Sequence, residues 1–92
     1  MGATEKAWYL YLLECENDYL YCGISTDVEQ RFQNHQQGKG AKFTRINRPI
    51  RILGVERFGN RSEASIAEAQ LKKRPKPKKL VWAELHKDYW CN

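Results

Sequence analysis

Five side chains able to handle a phosphodiester bond are strung along this sequence in order: Tyr11, Tyr21, Arg31, His35 and Glu68. Three of the positions stand out through their helical periodicity. At about 100° per residue, Glu68 falls in one arc with Ala64, Ala67 and Leu71, so it faces with the apolar stripe of its helix. A carboxylate there is costly unless it is paired or holds a cation. Arg31 and His35 fall in a similar arc with Val28 and Phe32. Arginine offers a planar fork of donors that matches phosphate oxygens, histidine moves protons near neutral pH, and a tyrosine hydroxyl both donates and accepts. Blander arrangements use the same residues. An internal Glu68–Arg31 ion pair would satisfy both charges, and tyrosines also pack well across a β-hairpin.

The elements that must position these groups follow from pattern. Residues 8–15 (WYLYLLEC) form a nearly continuous apolar run suited to a buried strand, with Tyr9, Tyr11 and Leu13 on one face. Glu16, Asn17 and Asp18 supply a turn, and residues 19–24 a second strand. Residues 25–38 change to a helical period, with Ser25 or Thr26 as cap and Gly38 as terminator. Residues 38–49, with two glycines, Pro49 and four basic side chains, are expected to be an exposed loop. A third strand covers residues 50–58. A second helix runs from Asn60 or Ser62 to about Lys73, supported by the Asn60-to-Glu63 capping spacing. Pro75 and Pro77 break it, and residues 78–89 form a last short helix burying Leu80, Val81 and Leu85. The fold class is α+β: a small three-stranded mixed or antiparallel sheet flanked by helices, in the order β-β-α-β-α-α. One domain is expected over residues 8–89, between tails at 1–7 and 90–92.

Composition narrows the class further. Ninety-two residues suffice for one core, and 41% hydrophobic with 29% charged residues is a globular balance. Three cysteines are too few for a disulfide scaffold, and Cys15, Cys22 and Cys91 contain no close pair spaced for zinc. No apolar run is long enough for a membrane span, and no secretory signal is visible, so a cytoplasmic protein without a membrane partner is expected. The net charge of +5 is unevenly distributed. Residues 31–79 carry 14 basic and three acidic side chains, whereas the remainder is acidic. Such a polarised chain suits a polyanion, and nucleic acid is the expected partner. Lys39, Lys42, Arg45 and Arg48 form one candidate phosphate-tracking group. Lys72, Lys73, Arg74, Lys76, Lys78 and Lys79 form another.

The order Tyr9-Leu10-Tyr11, Tyr21-Cys22-Gly23, Arg31 ten residues later and Glu68 on a later helix resembles the GIY-YIG nuclease domain. The likeness covers residues 8–79 and is closest to the small stand-alone bacterial members. It is carried especially by Gly23-Ile24-Ser25-Thr26-Asp27-Val28-Glu29-Gln30-Arg31, by His35, and by Gly38-Lys39-Gly40-Ala41-Lys42. Neither triplet is literal, since Tyr9 replaces the first glycine and Cys22 the central isoleucine. The resemblance implies a catalytic set of Tyr11, Tyr21, Arg31, His35 and Glu68, with Glu68 holding a single Mg²⁺ or Mn²⁺ ion. Tyr11 would be the general base with His35 as partner or rival, Tyr21 would orient water or phosphate, and Arg31 would bind phosphate oxygens. For Tyr11 to act as a base, nearby positive charge must lower its pKa. The function implied is metal-dependent cleavage of DNA, structure-specific and of the kind used in repair or recombination, with a protein partner adding specificity. A nucleic-acid-binding module with little or no cleavage is the alternative.

Overall fold

The computed structural model describes the backbone of residues 6–90 and the side chains through residue 87. Residues 1–5 of the expected N-terminal tail, and residues 91 and 92 with Cys91, lie outside the described residues. Trp90 belongs to the last helix, not to a tail.

Strand β1 (Trp8–Cys15) is the middle of a three-stranded sheet, between β2 (Leu20–Ser25) and β3 (Pro49–Phe58), and both pairings are antiparallel. A central strand covered on both faces has no solvent side to reserve for polar residues, which explains its apolar run. Alternation then separates two cores. Leu10 and Leu12, with Cys22, pack beneath Leu71, Trp82 and Ala83 of the two C-terminal helices. Tyr11, Leu13 and Cys15, with Val55, pack against Val28 and the half-buried Phe32 and Phe43. The β1–β2 turn is a single tight loop in which Asn17 and Asp18 take positive φ.

Helix α1 (Val28–Gln36) covers one face of the sheet. Its cap is Asp27, whose carboxylate accepts from the Gln30 N–H at 3.1 Å, while Ser25 braces the Asp27 backbone. It ends as the sequence suggests. Gly38 adopts φ 79°, with its N–H on the His35 carbonyl and the Lys39 N–H on that of Asn34, the paired bonds of a Schellman terminus. Helix α3 (Arg61–Lys72) is capped by Asn60, and the Glu63 carboxylate reaches back to the Gly59 N–H.

The structure corrects two elements. The expected loop at 38–49 contains a short helix, α2 (Lys42–Ile46), which buries Thr44 completely. Helix α4 (Lys76–Trp90) is longer than expected and buries a different face. Pro77 lies in its first turn, where a missing N–H breaks no helical bond. Trp82 and Ala83 face the sheet, while Leu80, Val81 and Leu85 are exposed. The reason is Gly54 on β3: a Cβ there would stand 2.9 Å from the Ala83 Cα and 3.1 Å from its carbonyl oxygen. Backbone cannot yield as a side chain would. Gly54→Ala is therefore expected to lift α4 from the sheet and lower stability by about 1–3 kcal/mol, read as a lower urea midpoint. An unchanged midpoint would show that the helix is not seated so closely.

Candidate active site

Tyr11 and Gly23 are direct partners across β1 and β2. With no Cβ at Gly23, the Tyr11 ring lies across the edge strand, its hydroxyl and ring carbons occupying the space a side chain would fill. Tyr11 is 1% exposed, and its hydroxyl lies 3.1 Å from His35 Nε2. His35, fully buried on α1, has its Nδ1 2.8 Å from the Thr44 hydroxyl of α2. Gly40 lies so close under the imidazole that any side chain there would strike it. Tyr21 presents its ring to the edge of His35 at 5.0 Å and stacks on Phe43 at 5.9 Å; Phe43 in turn meets Tyr19 edge-on. The Tyr11 and Tyr21 centroids are 6.5 Å apart.

Arg31 and Glu68 approach this pair from helices on opposite faces of the sheet, α1 and α3. They meet at β2, an edge strand. Both charges act on both tyrosines, and Lys72 acts on Tyr21 as well. Arg31 is exposed. Glu68 is half-buried, and its ion pair runs along its own helix to Lys72 at 3.5 Å; among the described residues it makes none with Arg31. The internal Arg31–Glu68 pair that periodicity allowed is thus absent.

Arg31 alone does not bring the Tyr11 pKa down. Burial pushes it well above the usual phenol value, with Tyr21 adding to the rise, and Arg31 only partly opposes them. Burial raises Tyr21 too, against Lys72 and Arg31. His35 moves the other way: burial, and then the Arg31 charge, lower it to about 4. The resting pair is therefore a neutral phenol hydrogen-bonded to a neutral imidazole.

A pH dependence of stability follows. The unfolded chain takes up a proton at His35 near pH 6.5, and the folded one resists until about pH 4. Stability from this residue is complete above pH 6.5 and lost as pH falls toward 4, at no more than about 1.4 kcal/mol per pH unit. Urea titrations of the native chain and His35→Gln should diverge across that window. Parallel pH profiles would count against a buried neutral imidazole.

The basic groups border the same edge. Lys42 and Arg45 lie on α2, with Lys39 and Arg48 just outside it, and all four are exposed. Phe43 ties this helix to Tyr19 and Tyr21. On the other face, Lys73, Arg74 and Lys78 are exposed and Lys79 is half-buried. Lys72 and Lys76 are less available: Lys72 pairs with Glu68, and Lys76 pins the hairpin turn through the Asp18 carboxylate at 3.0 Å and carbonyl at 2.6 Å. Beside Arg31 an open hollow of about 300 Å³ is walled by Trp8, Ile24, Ser25, Thr26 and Arg61. The Arg61 guanidinium sits 5.5 Å from the Trp8 ring centroid. Among the described residues neither Arg31 nor Arg61 has a carboxylate partner.

Sequence reasoning missed Gly40, Phe43, Thr44 and Arg61. The first three lie in the segment taken as loop. The one available signal was the Phe43–Ile46 spacing, a single helical step too short to stand out. Arg61 was counted with the basic segment but not placed.

Among the described residues no three His, Cys, Asp or Glu side chains cluster as a metal cage. Among the described residues Glu68 is the carboxylate that acts on both tyrosines of the site. That donor set fits Mg²⁺ or Mn²⁺ held mainly by water and substrate oxygens, since Mg²⁺ dehydrates reluctantly.

With this geometry in view, comparison with known proteins gives a consistent picture. The family model described as the GIY-YIG catalytic domain matches residues 7–81. A UPF0213 protein of Cupriavidus necator is 55% identical over 71 residues, which is 77% of each chain. A UPF0213 protein of Streptococcus agalactiae is 42% identical over 80 residues, covering 87% of this chain and 91% of the relative. Two solution structures are similar. The UPF0213 protein of Bacillus halodurans is 37% identical, with a TM-score of 0.54 over 86% of this chain and 84% of that one. A protein of E. faecalis is 34% identical, with a TM-score of 0.60 over 91% and 90%.

Proposed function

Because the chain belongs to the GIY-YIG family of nuclease-type catalytic domains, we propose that it is a metal-dependent endonuclease hydrolysing phosphodiester bonds in DNA. The observation that carries this reading is convergence. Tyr11, Tyr21, Arg31 and Glu68 come from two strands and two helices on opposite faces, and the Arg31 and Glu68 charges both act on both tyrosines. A carboxylate is a liability in a surface built only to bind phosphates. Its charge, acting on the same two tyrosines as Arg31, favours catalysis over simple binding.

Arg31 takes the non-bridging phosphate oxygens and neutralises charge that grows during attack. Tyr21, stacked on Phe43, aims its hydroxyl at the attacking water or the phosphate. Tyr11 does not work as a stored phenolate, given its raised pKa. It accepts a proton from water as its own proton passes to His35 Nε2, so charge never rests on the buried phenol. Burial chiefly keeps His35 neutral, and a bound anionic phosphate partly cancels the smaller contribution of the Arg31 charge. Glu68 would hold a divalent ion, which when bound would supply Lewis-acid polarisation of the phosphate and relief of charge at the leaving oxygen.

Lys39, Lys42, Arg45 and Arg48 on one flank, and Lys73, Arg74, Lys78 and Lys79 on the other, track the backbone without reading bases. Branched or nicked DNA of repair and recombination suits so small a domain, with a protein partner adding specificity in the cytoplasm. The high Tyr11 pKa is the one observation favouring a binding module with little cleavage. Linear, nicked and branched DNA incubated with Mg²⁺, with Mn²⁺ and with EDTA separates the two. Metal-dependent strand scission on any of them supports the endonuclease. Salt-sensitive binding without scission on all of them establishes the module instead.

A further inference from the structure

We propose that Thr44 is a positioning residue that sets the tautomer of His35, and through it the direction of proton movement at Tyr11. The argument is one of counting hydrogens. The Thr44 hydroxyl oxygen lies 2.8 Å from the Ala41 carbonyl oxygen and 2.8 Å from His35 Nδ1. Two oxygens at 2.8 Å need a hydrogen between them, and only the hydroxyl has one to give. That proton is therefore committed to Ala41. The Ala41 carbonyl also takes the longer bonds of the Thr44 and Arg45 N–H groups, at 3.1 and 3.2 Å, so the hydroxyl is its nearest donor. The Thr44 oxygen can then only accept from the imidazole, so Nδ1 carries the hydrogen. Nε2 is left bare, and the contact at 3.1 Å is a Tyr11 hydroxyl donating to it.

The opposite tautomer would put a hydrogen on Nε2 and force Tyr11 to accept. A phenol that accepts from His35 has nowhere to pass its own proton when it takes one from water. In the arrangement set by Thr44 the transfer balances. Water loses a proton to the Tyr11 oxygen, the original Tyr11 proton moves to Nε2, and the resulting hydroxide forms the new bond to phosphorus as the leaving oxygen departs. The leaving oxygen takes its proton from solvent, and the imidazolium, its Nδ1–H on Thr44 throughout, returns the Nε2 proton through Tyr11 to solvent once the product has left. Thr44 touches no substrate and is fully buried. The two-oxygen logic also explains why a helix of five residues sits in an otherwise irregular basic segment: its first turn holds Ala41 O and Thr44 Oγ1 in register.

This inference rests on the endonuclease reading only for its kinetic arm. Side-chain ¹⁵N spectra of His35, assigned with a His86→Gln background, report the tautomer whether or not any DNA is cut. The native chain should show a protonated Nδ1 and a bare Nε2. Thr44→Val keeps the branched shape without an acceptor, and should shift His35 toward the Nε2–H form. In the same variant kcat should fall on the order of 10²-fold, the lower range for a general base, with KM unchanged. Thr44→Ser should restore both. A native chain already in the Nε2–H form overturns the proposal. So does a Thr44→Val variant that keeps the native tautomer, or one that changes tautomer with no loss of kcat. If Thr44→Val does not fold, Thr44→Ala takes its place against the same readings. A native chain that cleaves nothing sinks the endonuclease reading, and the spectra still decide the tautomer.

Discussion

Glu68→Gln is expected to abolish metal-dependent cleavage, lowering kcat/KM by at least 10²-fold, about 3 kcal/mol of transition-state stabilisation, while DNA binding in EDTA holds or tightens. The two halves of that result come from the same side chain. Among the described residues Glu68 is the one carboxylate that acts on both tyrosines, so none of them replaces it as a ligand. Removing its charge also releases Lys72, whose ion pair it makes at 3.5 Å, and the freed ammonium adds to the field that attracts phosphates. Stability should scarcely move. A helical i,i+4 pair with an exposed lysine contributes only a few tenths of a kcal/mol, and glutamine suits helix α3 as well as glutamate does. Cleavage assays with Mg²⁺ and binding titrations in EDTA, run on the same preparations, make the comparison. If Glu68→Gln cleaves like the native chain, Glu68 is not the metal ligand. If it loses binding and cleavage together, the carboxylate holds the fold and not an ion.

How far the sequence alone could reach depended on the length of each signal. The apolar run at Trp8–Cys15 spans a whole strand, and it pointed to a buried strand; the structure makes it the central one, covered on both faces. Glu68 was conspicuous because a carboxylate at an apolar helical position breaks a pattern several residues long. The grouping of Tyr11 and Tyr21 with Arg31 and Glu68 came from the resemblance, since alternation and helix period speak to each element separately. Periodicity could not say which of two arcs a polar residue favours. Arg31 was placed with Val28 and His35, yet only those two are buried. Helix α4 failed for a related reason. Leu80, Val81 and Leu85 are its aliphatic residues, but the seat on the sheet is made by Gly54, 29 residues before Ala83, and it admits Trp82 and Ala83.

The most instructive omission is α2. Five residues give too little period to register against glycine and basic neighbours, so the segment passed for a phosphate-tracking loop. Its exposed side chains, Lys42 and Arg45, remain suited to that. Its buried ones support the site instead: Phe43 stacks on Tyr21, and Thr44 meets His35. One short helix thus faces outward to a polyanion and inward to the imidazole, and composition reports only the outward half. Likewise, charge counting foresaw an arginine-assisted tyrosine, but burial outweighs Arg31 at Tyr11. Burial comes from long-range packing of β1 between two layers, which no local window contains.

Gly23→Ala should damage both stability and catalysis, more than its one added methyl suggests. The new Cβ would stand 2.6 Å from the Tyr11 Cζ and in collision with its hydroxyl. A flexible side chain could swing aside. Tyr11 cannot, because its ring is walled by the core and its hydroxyl is held at His35. Either the phenol rotates away from the imidazole or β2 separates from β1 at their Tyr11–Gly23 pairing. Both routes break the proton path, and the overpacking costs about 1–3 kcal/mol. Loss of the base should lower kcat by on the order of 10²–10⁴-fold, beyond what partial unfolding explains. Gly59→Ala is the control: its added carbon would find only the Glu63 carboxylate oxygen at 3.6 Å, an ordinary contact. Thermal melts and single-turnover cleavage of both variants, below the melting range, separate the two effects. A Gly23→Ala chain that melts and cleaves like Gly59→Ala would mean that Tyr11 does not lie across the edge strand. The route from β1 through Gly23 to His35 would then fail as the axis of the site.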